Sequence, residues 1–530
     1  MRHSSLHILF LLLAAFLLYA GSLHAPFVFD DFAFFSSAQK LAKYGHGLFS
    51  FEPRWLAYSS LVWTVNVFGP DVLWLRLGNV LLHGANAVAL FFLLRRLFQT
   101  TLSPDREPDD MPAWFAFFGA LIFALHPVAV YGVAYIIERS ILMATLFVLL
   151  MLLAYLKWLL RGGWHWMLAA VLFYFAALLS KEHSVVAPGV ALAMTFLVRK
   201  PSPALLKQLA PYAILLALIA ATVVYLASAR GILGQTYEPN AVGMLEYYAR
   251  MHGLTELPNT YLLSILTQSG LFFKYLWLWL LPAPAWMSVD MREPFALSLS
   301  GWYTLGFAAF LVYFCVAVWL LLKQGRLGLL GFALLFPWIM FLTEFSTVRI
   351  QEPFVLYRSY LWMPGLFAAL PMLFGWLASK RTLIALGVIS LLLIPLSLNR
   401  INTFSSTLSL WDDAEELVRN KPGAYGVERI YTNRGNKLFQ LRRYDEAIAD
   451  FSKAIAVFPT DELVYGNRGM SYYYLGKYQD AIEDFNRALA IKPDNRRYYY
   501  DRSLAYRALG NIPAADEDVR KSCSLGGICP

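Results

Sequence analysis

The chain has 530 residues, of which 58% are hydrophobic, 16% aromatic and only 15% charged, and its net charge at neutral pH is +9. A soluble domain is usually about 45–50% apolar and about 25% charged, so this composition excludes an ordinary soluble protein. Repeated apolar runs of roughly 18–23 residues are typical of a polytopic membrane protein. The basic residues form short clusters between these runs, which indicates membrane topology and predicts no nucleic-acid partner.

The first apolar run extends from about residue 6 to residue 23 and is followed by two adjacent carboxylates. The run is long enough to be retained as a signal anchor, although a cleaved signal peptide ending near Ala20-Gly21-Ser22 is the alternative. Asp30 and Asp31 follow it within a stretch rich in phenylalanine. Such a pair can bind a cation, accept a proton, or cap a short helix over residues 32–43. The residues by themselves leave these three roles open.

Residues 1–398 are predicted to form an all-α bundle of membrane-spanning helices. The candidate segments lie near residues 6–23, 72–94, 113–131, 140–158, 164–180, 185–198, 208–228, 259–281, 301–322, 328–343, 355–377 and 382–398.

The positive-inside rule orients these segments, because cytoplasmic loops carry an excess of Lys and Arg. With the N-terminus in the cytoplasm, the basic pair Arg95-Arg96 lies inside and Asp30-Asp31 lies outside. Basic loops continue to lie inside along the rest of the chain only if one segment between residues 208 and 281 does not cross the membrane. We expect this to be 259–281, as a lateral or re-entrant helix, because it contains polar residues and ends at Pro282. The result is about 11 crossings, with the C-terminal part extracytoplasmic, most simply in the periplasm beyond a bacterial inner membrane.

The charged C-terminal part contains a repeat. Its first unit has Tyr431, Gly435, Tyr444, Ala447, Phe451, Ala454 and Pro459, and the second has Tyr465, Gly469, Tyr478, Ala481, Phe485, Ala488 and Pro493, each 34 residues further on. This spacing of small and aromatic residues is the tetratricopeptide (TPR) pattern. It predicts repeats near residues 428–461 and 462–495 and a degenerate one near 496–529, within a domain over 428–530. Residues 399–427 are expected to form a connecting or capping helix.

TPR stacks bind peptides or proteins along a concave face, and a purely structural cap is the alternative. The groove residues expected to bind an acceptor protein are Tyr431, Asn433, Tyr465, Asn467 and Tyr499.

Ionisable residues concentrate beside the apolar segments on the predicted outer side. An ionisable side chain near bilayer depth costs about 2.5–3.5 kcal/mol, so each is a functional candidate. Arg and Lys in such a layer suit a phosphate or pyrophosphate, and ordinary interfacial loop charges are the alternative. The predicted donor-binding residues are His126, Glu138, Arg139, Lys181, Glu182, Glu352 and Arg358, with Asp290 and Arg292 in the same layer.

Taken together, these stretches resemble the GT-C glycosyltransferases, and within them the transmembrane-and-TPR O-mannosyltransferase group and its bacterial TPR-bearing relatives. The matching stretches are Asp30-Asp31, Arg54-Trp55-Leu56 through Phe68-Gly69, Leu77 to His83, His126-Pro127, Glu138-Arg139, Ser180-Lys181-Glu182 and Glu352 to Pro364. The sequence departs from these relatives at Tyr131 and at Ser140-Ile141.

The resemblance implies an inverting enzyme that transfers a sugar, mannose or another hexose, from a polyprenyl-phosphate carrier to Ser or Thr hydroxyls of exported proteins. Asp30 or Asp31 would be the catalytic base, with Lys181, Arg139 and Arg358 at the departing phosphate. No cofactor is required by this chemistry, although Mg²⁺ or Mn²⁺ held by Asp30 and Asp31 stays open.

Two other functions compete with this one. The first is a non-enzymatic membrane scaffold whose TPR stack recruits an envelope-assembly complex. The second is a flippase or polymerase of lipid-linked sugars. The sugar, the carrier, the acceptor and the pairing of Cys523 with Cys529 are left open by the sequence.

Overall fold

The computed structural model describes residues 2–45, 50–102, 111–236, 241–254, 259–350, 352–421 and 425–527. The protein is 80% helical, and no β-strand occurs in the described ranges. The predicted all-α class is therefore confirmed. The chain divides into two compact units, Met1–Val289 with Phe295–Ser406 and Asp290–Pro294 with Thr407–Pro530.

The first unit is a helical bundle with short 3-10 turns between its helices. Its helices are α1 (Arg2–Tyr19), α2 (Asp30–Phe35), α3 (Ala38–Gly45), α4 (Trp55–Phe68), α5 (Val72–Leu102), α6 (Met111–Ala124), α7 (Val130–Val133), α8 (Arg139–Arg161), α9 (Trp164–Ser180), α10 (Ala187–Val198), α11 (Pro203–Ala229), α12 (Ala241–Met251), α13 (Thr260–Leu280), α14 (Trp302–Leu322), α15 (Gly325–Phe341), α16 (Ser359–Trp362), α17 (Leu370–Phe374) and α18 (Ser379–Thr403). Three of the 3-10 turns, Ile136–Glu138, Glu182–Val186 and Leu356–Arg358, carry residues of the predicted site.

Among the described residues, seven helices are long and apolar enough to cross a membrane. The number rises to eight if the bent pair Met111–Ala124 and Pro127–Val133 forms one span. Transmembrane helices are thus supported, whereas the predicted count of about 11 crossings and the predicted orientation stay predictions.

The structure adds detail to three parts of the chain. The run 355–377 forms short helical turns and no single helix, because Pro364 and Pro371 cannot donate the N–H bonds of a continuous one. Segment 259–281 is one unbroken helix, α13, whose polar Gln268 donates to the carbonyl of Pro353 at 2.7 Å. The helix α12 lies between the apolar segments 208–228 and 259–281, outside both of them.

The second unit is a stack of antiparallel helix pairs preceded by one helix. The helices are α19 (Thr407–Val418), α20 (Val427–Gln440), α21 (Tyr444–Val457), α22 (Glu462–Tyr474), α23 (Tyr478–Ile491), α24 (Arg496–Ala508) and α25 (Ile512–Ser524).

Glycines at matching positions let the two helices of each pair approach closely. A Cβ at Gly435 would lie 2.8 Å from the Phe451 ring, and one at Gly469 would lie 2.9 Å from the Phe485 ring. Real side chains do not approach so closely, which explains the small residue at this position of the repeat. The predicted Cys523–Cys529 loop includes Cys529, which lies outside the described residues.

Candidate functional site

Asp31 is fully buried and ties two segments of the main chain together. Its Oδ2 accepts the N–H of Val28 at 3.1 Å, and its Oδ1 accepts the N–H of Ile137 at 2.9 Å. Burial raises the pKa of Asp31 to about 7, while these hydrogen bonds and the charge of Arg76 act in the opposite direction. This carboxylate therefore fixes the loop before α2 to the turn before α8.

Asp30 is exposed, in contrast to its neighbour. Its N–H donates to the hydroxyl of Tyr135 at 3.1 Å. The preceding Phe29 has φ 47° and ψ −121°, a backbone conformation that costs an L-residue energy and persists only where the surroundings enforce it. Neither aspartate caps α2, which begins without a side-chain cap. The structure thus gives the pair different surroundings, one carboxylate inside and one at the surface.

Lys181 and Glu138 form a buried ion pair at the same end of the bundle. The Lys181 ammonium lies 3.0 Å from Glu138 Oε2 and also donates to Ser140 Oγ at 3.3 Å. Both charged side chains are at most 7% exposed. Buried charges are tolerated only when they are paired and hydrogen-bonded, and this arrangement meets both conditions.

Two tyrosines connect Asp30 with the cationic residues. The rings of Tyr135 and Tyr357 lie 6.0 Å apart in an edge-on contact. The ammonium of Lys181 is 5.6 Å from the Tyr357 ring centre, and the guanidinium of Arg358 is 6.0 Å from it. A chain of direct contacts therefore runs from the exposed aspartate to a lysine and an arginine.

Glu344 is the centre of a second buried network. Its Oε2 lies 2.9 Å from Arg358 Nη1 and 3.1 Å from Arg349 Nε, and His183 Nε2 lies 3.2 Å from its Oε1. Two guanidinium groups thus meet one carboxylate, and the negative charge of Glu352 also acts on Arg358. The predicted donor-binding residues do not include Glu344 and Arg349.

Glu182 pairs with an arginine that the sequence did not single out for the site. Arg54 binds it bidentately, with Nε at 3.0 Å from Oε2 and Nη2 at 2.5 Å from Oε1. Arg54 itself has φ 60° at the start of α4. Because the partners are 128 residues apart, only the folded chain shows this pair.

Three predicted donor-binding residues make contacts that differ from the ion pairs described above. Arg139 donates to Asn79 Oδ1, Ser60 O, Thr64 Oγ1 and Leu75 O. His126 stacks on Trp279 with ring centres 4.3 Å apart and also contacts the carbonyl of Trp279. Glu352 is half-buried, and its charge acts on Tyr357 and Arg358. The contacts of Arg139 and His126 hold helices together, so phosphate binding by these two stays a prediction.

The carboxylate pair makes a poor set of metal ligands. Both oxygens of Asp31 already accept main-chain N–H groups, and only Asp30 is exposed. Within the described ranges, no three His, Cys, Asp or Glu side chains group so as to hold a metal ion. Mg²⁺ or Mn²⁺ at this pair stays a prediction, and no step proposed here depends on it.

In the second unit, an Arg–Asp pair repeats in register with the helix pairs. Each arginine binds its aspartate bidentately at 2.7–2.8 Å, in the pairs Arg434–Asp450, Arg468–Asp484 and Arg502–Asp518. These Arg–Asp pairs, the Arg–Asp ladder, are not among the predicted features, although both residues recur every 34 positions in the sequence.

The predicted groove residues lie beside the ladder. Tyr465 and Tyr499 each contact the arginine three positions later, at 5.8 Å and 5.6 Å. Asn467 donates to Asn436 at 2.8 Å, Tyr431 is 5.1 Å from the ammonium of Lys453, and Asn433 is half-buried. Their role in binding an acceptor stays a prediction.

Comparison with known proteins identifies the repeat. The tetratricopeptide repeat family matches residues 428–461 and 463–495. Among solved structures, the chain is similar to the first TPR of Spaghetti (RPAP3) bound to HSP90 peptide SRMEEVD, with 30% identity over 18% of this chain and 78% of that one and a TM-score of 0.18. It is also similar to the Arabidopsis OM64 TPR domain, with 23% identity over 19% of this chain and 82% of that one (TM-score 0.19). The chain is similar as well to the crystal structure of MamA protein, with 22% identity over 28% of this chain and 73% of that one (TM-score 0.21).

No curated protein matches the chain. The two full TPR repeats are confirmed, the degenerate one near 496–529 stays a prediction, and such a domain supports a role in protein interaction or as a scaffold.

Proposed function

We propose that this chain is an integral-membrane glycosyltransferase of the GT-C type. It transfers a sugar, mannose or another hexose, from a polyprenyl-phosphate carrier to Ser or Thr hydroxyls of exported proteins. One observation carries the proposal: the exposed Asp30 is linked through Tyr135 and Tyr357 to Lys181 and Arg358. A carboxylate that can take a proton, connected through two tyrosines to cations that can hold a phosphate, supplies both groups that this transfer requires.

In the proposed reaction, Asp30 accepts the proton of the acceptor hydroxyl. The hydroxyl oxygen attacks the anomeric carbon on the face opposite the phosphate, and the bond from that carbon to the phosphate oxygen breaks with inversion. The polyprenyl phosphate leaves with the bonding electrons. Lys181 and Arg358 stabilise its developing negative charge, and the networks of Glu138 and Glu344 keep these two cations in place.

Asp31 has a different task in this proposal. Its bonds to Val28 and Ile137 fix the loop that carries Asp30. It is therefore a positioning residue, and Asp30 is the catalytic base. The sequence alone could not divide the two roles.

The TPR domain engages the acceptor protein in this proposal. Helical repeat stacks present a continuous concave surface, to which an extended protein segment can bind. The groove residues Tyr465 and Asn467 are the first candidates for this contact.

The test is a transfer assay with the full chain in detergent, a labelled polyprenyl-phosphate hexose and exported proteins as acceptors. General base catalysis contributes about 10²–10⁴-fold, so Asp30→Asn should reduce the rate by that order. Asp71→Asn is the matched control, because Asp71 is an exposed aspartate of the same unit and Asn replaces Asp well at a helix N-terminus. Undiminished transfer by Asp30→Asn would overturn the base assignment.

The scaffold function is the second candidate, and the TPR repeats favour it. It predicts that Asp30→Asn has no effect on cells, whereas changes at Tyr465 and Asn467 disturb envelope assembly. A flippase or polymerase would instead alter lipid-linked oligosaccharides while protein glycosylation persists. Glycoproteomics of exported proteins with and without the gene separates the transferase from the other two functions, and analysis of the lipid-linked oligosaccharides separates the flippase or polymerase from the scaffold.

A further inference from the structure

The five residues Asp290–Pro294 belong to the second unit, although the chain on both sides of them belongs to the first. They lie far in sequence from the rest of the second unit, which begins at Thr407. The sequence analysis assigned Asp290 and Arg292 to the outer charged layer. Their partners indicate another role, independent of sugar transfer.

Arg292 is the centre of this segment and is only 3% exposed. Its Nη2 lies 2.5 Å from Asp290 Oδ2. Its guanidinium also packs directly against the main chain at Gly426, where a Cβ would overlap Nη1. Gly426 has φ +77°, a conformation suited to glycine, and immediately precedes α20. The position thus accommodates the arginine only because it has no side chain.

The first turn of α20 supplies charges that complement the segment. Arg429 Nε lies 3.8 Å from Asp290 Oδ2. Burial raises the pKa of Glu428, while the positive charge of Arg292 opposes the rise. Arg292 therefore interacts with two carboxylates and Asp290 with two guanidinium groups. Met291 between them is 2% exposed. Removing so many charged atoms from water is costly unless the partners match, whereas burial of the Met291 side chain is favourable; both observations argue for a specific contact.

We propose that the segment Asp290–Pro294 is an internal docking peptide for the start of the TPR stack. It binds the end formed by Gly426, Glu428 and Arg429 and retains the repeats independently of the covalent link at Ser406–Thr407. The partner of this surface is a segment of the same chain, recognised through the sequence Asp290-Met291-Arg292.

The test introduces a protease site between Ser405 and Ser406 in the full chain, which carries an N-terminal affinity tag. After cleavage in detergent, the tagged fragment is captured and the retained C-terminal fragment is measured against increasing salt. We expect retention at physiological salt and only gradual release as the salt concentration rises, because buried ion pairs are screened much less than exposed ones. Arg292→Ala should weaken retention at least about tenfold, and it leaves every TPR helix unaltered. Immediate release of the wild-type fragment, or full retention by Arg292→Ala, would each overturn the proposal.

Two glycines provide a matched pair of further variants. Gly426→Ala introduces a methyl group into the space of the Arg292 guanidinium, whereas Gly476→Ala has nothing within 4 Å at a similar φ of +75°. Both substitutions carry the same backbone strain. Release by Gly426→Ala alone supports the docking peptide, and equal behaviour of the two variants contradicts it. Circular dichroism of the cleaved fragments verifies that the repeats remain helical.

Discussion

The ammonium of Lys181 lies 3.0 Å from the carboxylate of Glu138, 43 residues earlier in the chain, and both side chains are almost fully buried. If one partner were removed, bulk water could not solvate the charge of the other. The pair therefore connects the turn before α8 with the turn after α9, and its energetics can be tested directly.

Lys181→Met should destabilise the protein by about 3–5 kcal/mol, because it leaves the Glu138 carboxylate buried without its cation. The double variant Lys181→Met with Glu138→Gln should recover most of this loss, because no uncompensated charge remains. Thermal unfolding in detergent of the wild type, Lys181→Met, Glu138→Gln and the double variant gives the coupling between the residues. Additive effects of the two substitutions would contradict a direct pair.

Asp31→Ala should lower stability far more than Asp30→Ala. The first substitution removes the acceptor of two N–H groups, those of Val28 and Ile137, at a cost of about 1–3 kcal/mol for each buried donor left unsatisfied. The second removes an exposed carboxylate that fixes no buried group. The measurement is the thermal midpoint of each variant in detergent. Equal midpoints would show that the hydrogen bonds accepted by Asp31 contribute nothing to stability.

Stability should fall as the pH rises from about 4 to about 7. The folded protein raises the pKa of Asp31 from its ordinary value of 3.8 to about 7. Between these values the folded state binds more protons than the unfolded state, so the free energy of unfolding decreases with rising pH. Above pH 7 this contribution is constant. Thermal midpoints of the wild type and of Asp31→Asn across this range isolate the effect, because the amide does not titrate. Parallel curves for the two proteins would refute it.

Arg468→Ala should loosen the second repeat by about 1–3 kcal/mol, since Asp484 then loses a bidentate partner in a largely buried position. Arg468→Lys should not restore it, because an ammonium cannot make two parallel hydrogen bonds to one carboxylate. Arg443→Ala is the control, as its pair with Glu446 is exposed and contributes little. Hydrogen exchange of α22 and α23 in the full chain reports the local stability. If Arg443→Ala reduced the hydrogen-exchange protection of α22 and α23 as much as Arg468→Ala does, the Arg468–Asp484 pair would not be the cause of the loss.

The repeat in the second unit was predictable because it is a local pattern. Gly435 and Phe451 recur at a fixed spacing, and small residues facing aromatic rings in paired helices have one common explanation. The helical class followed from the length of the apolar runs in the same way. The run 355–377 was misjudged because prolines within it break the helix while buried protein surroundings still accommodate the irregular main chain.

The site was only partly predictable, because its pairs join distant segments. Lys181, Glu182 and Arg358 stood out as charges beside apolar runs, but no local signal connects Arg54 with Glu182 or Tyr135 with Asp30. In the sequence Arg139, like Lys181, is a basic residue beside an apolar run. In the fold its guanidinium meets four protein acceptors within the helix bundle.

Sequence patterns were sufficient to predict helices long and apolar enough to cross a membrane, the TPR repeats and the charged residues from which a site could form, since periodicity and composition are properties of short stretches. Tertiary structure alone decided that Asp31 is buried and Asp30 exposed, and that Arg292 packs against Gly426. The reason is physical: burial and pairing depend on which distant groups exclude water from a side chain, and adjacent identical residues can therefore meet opposite environments.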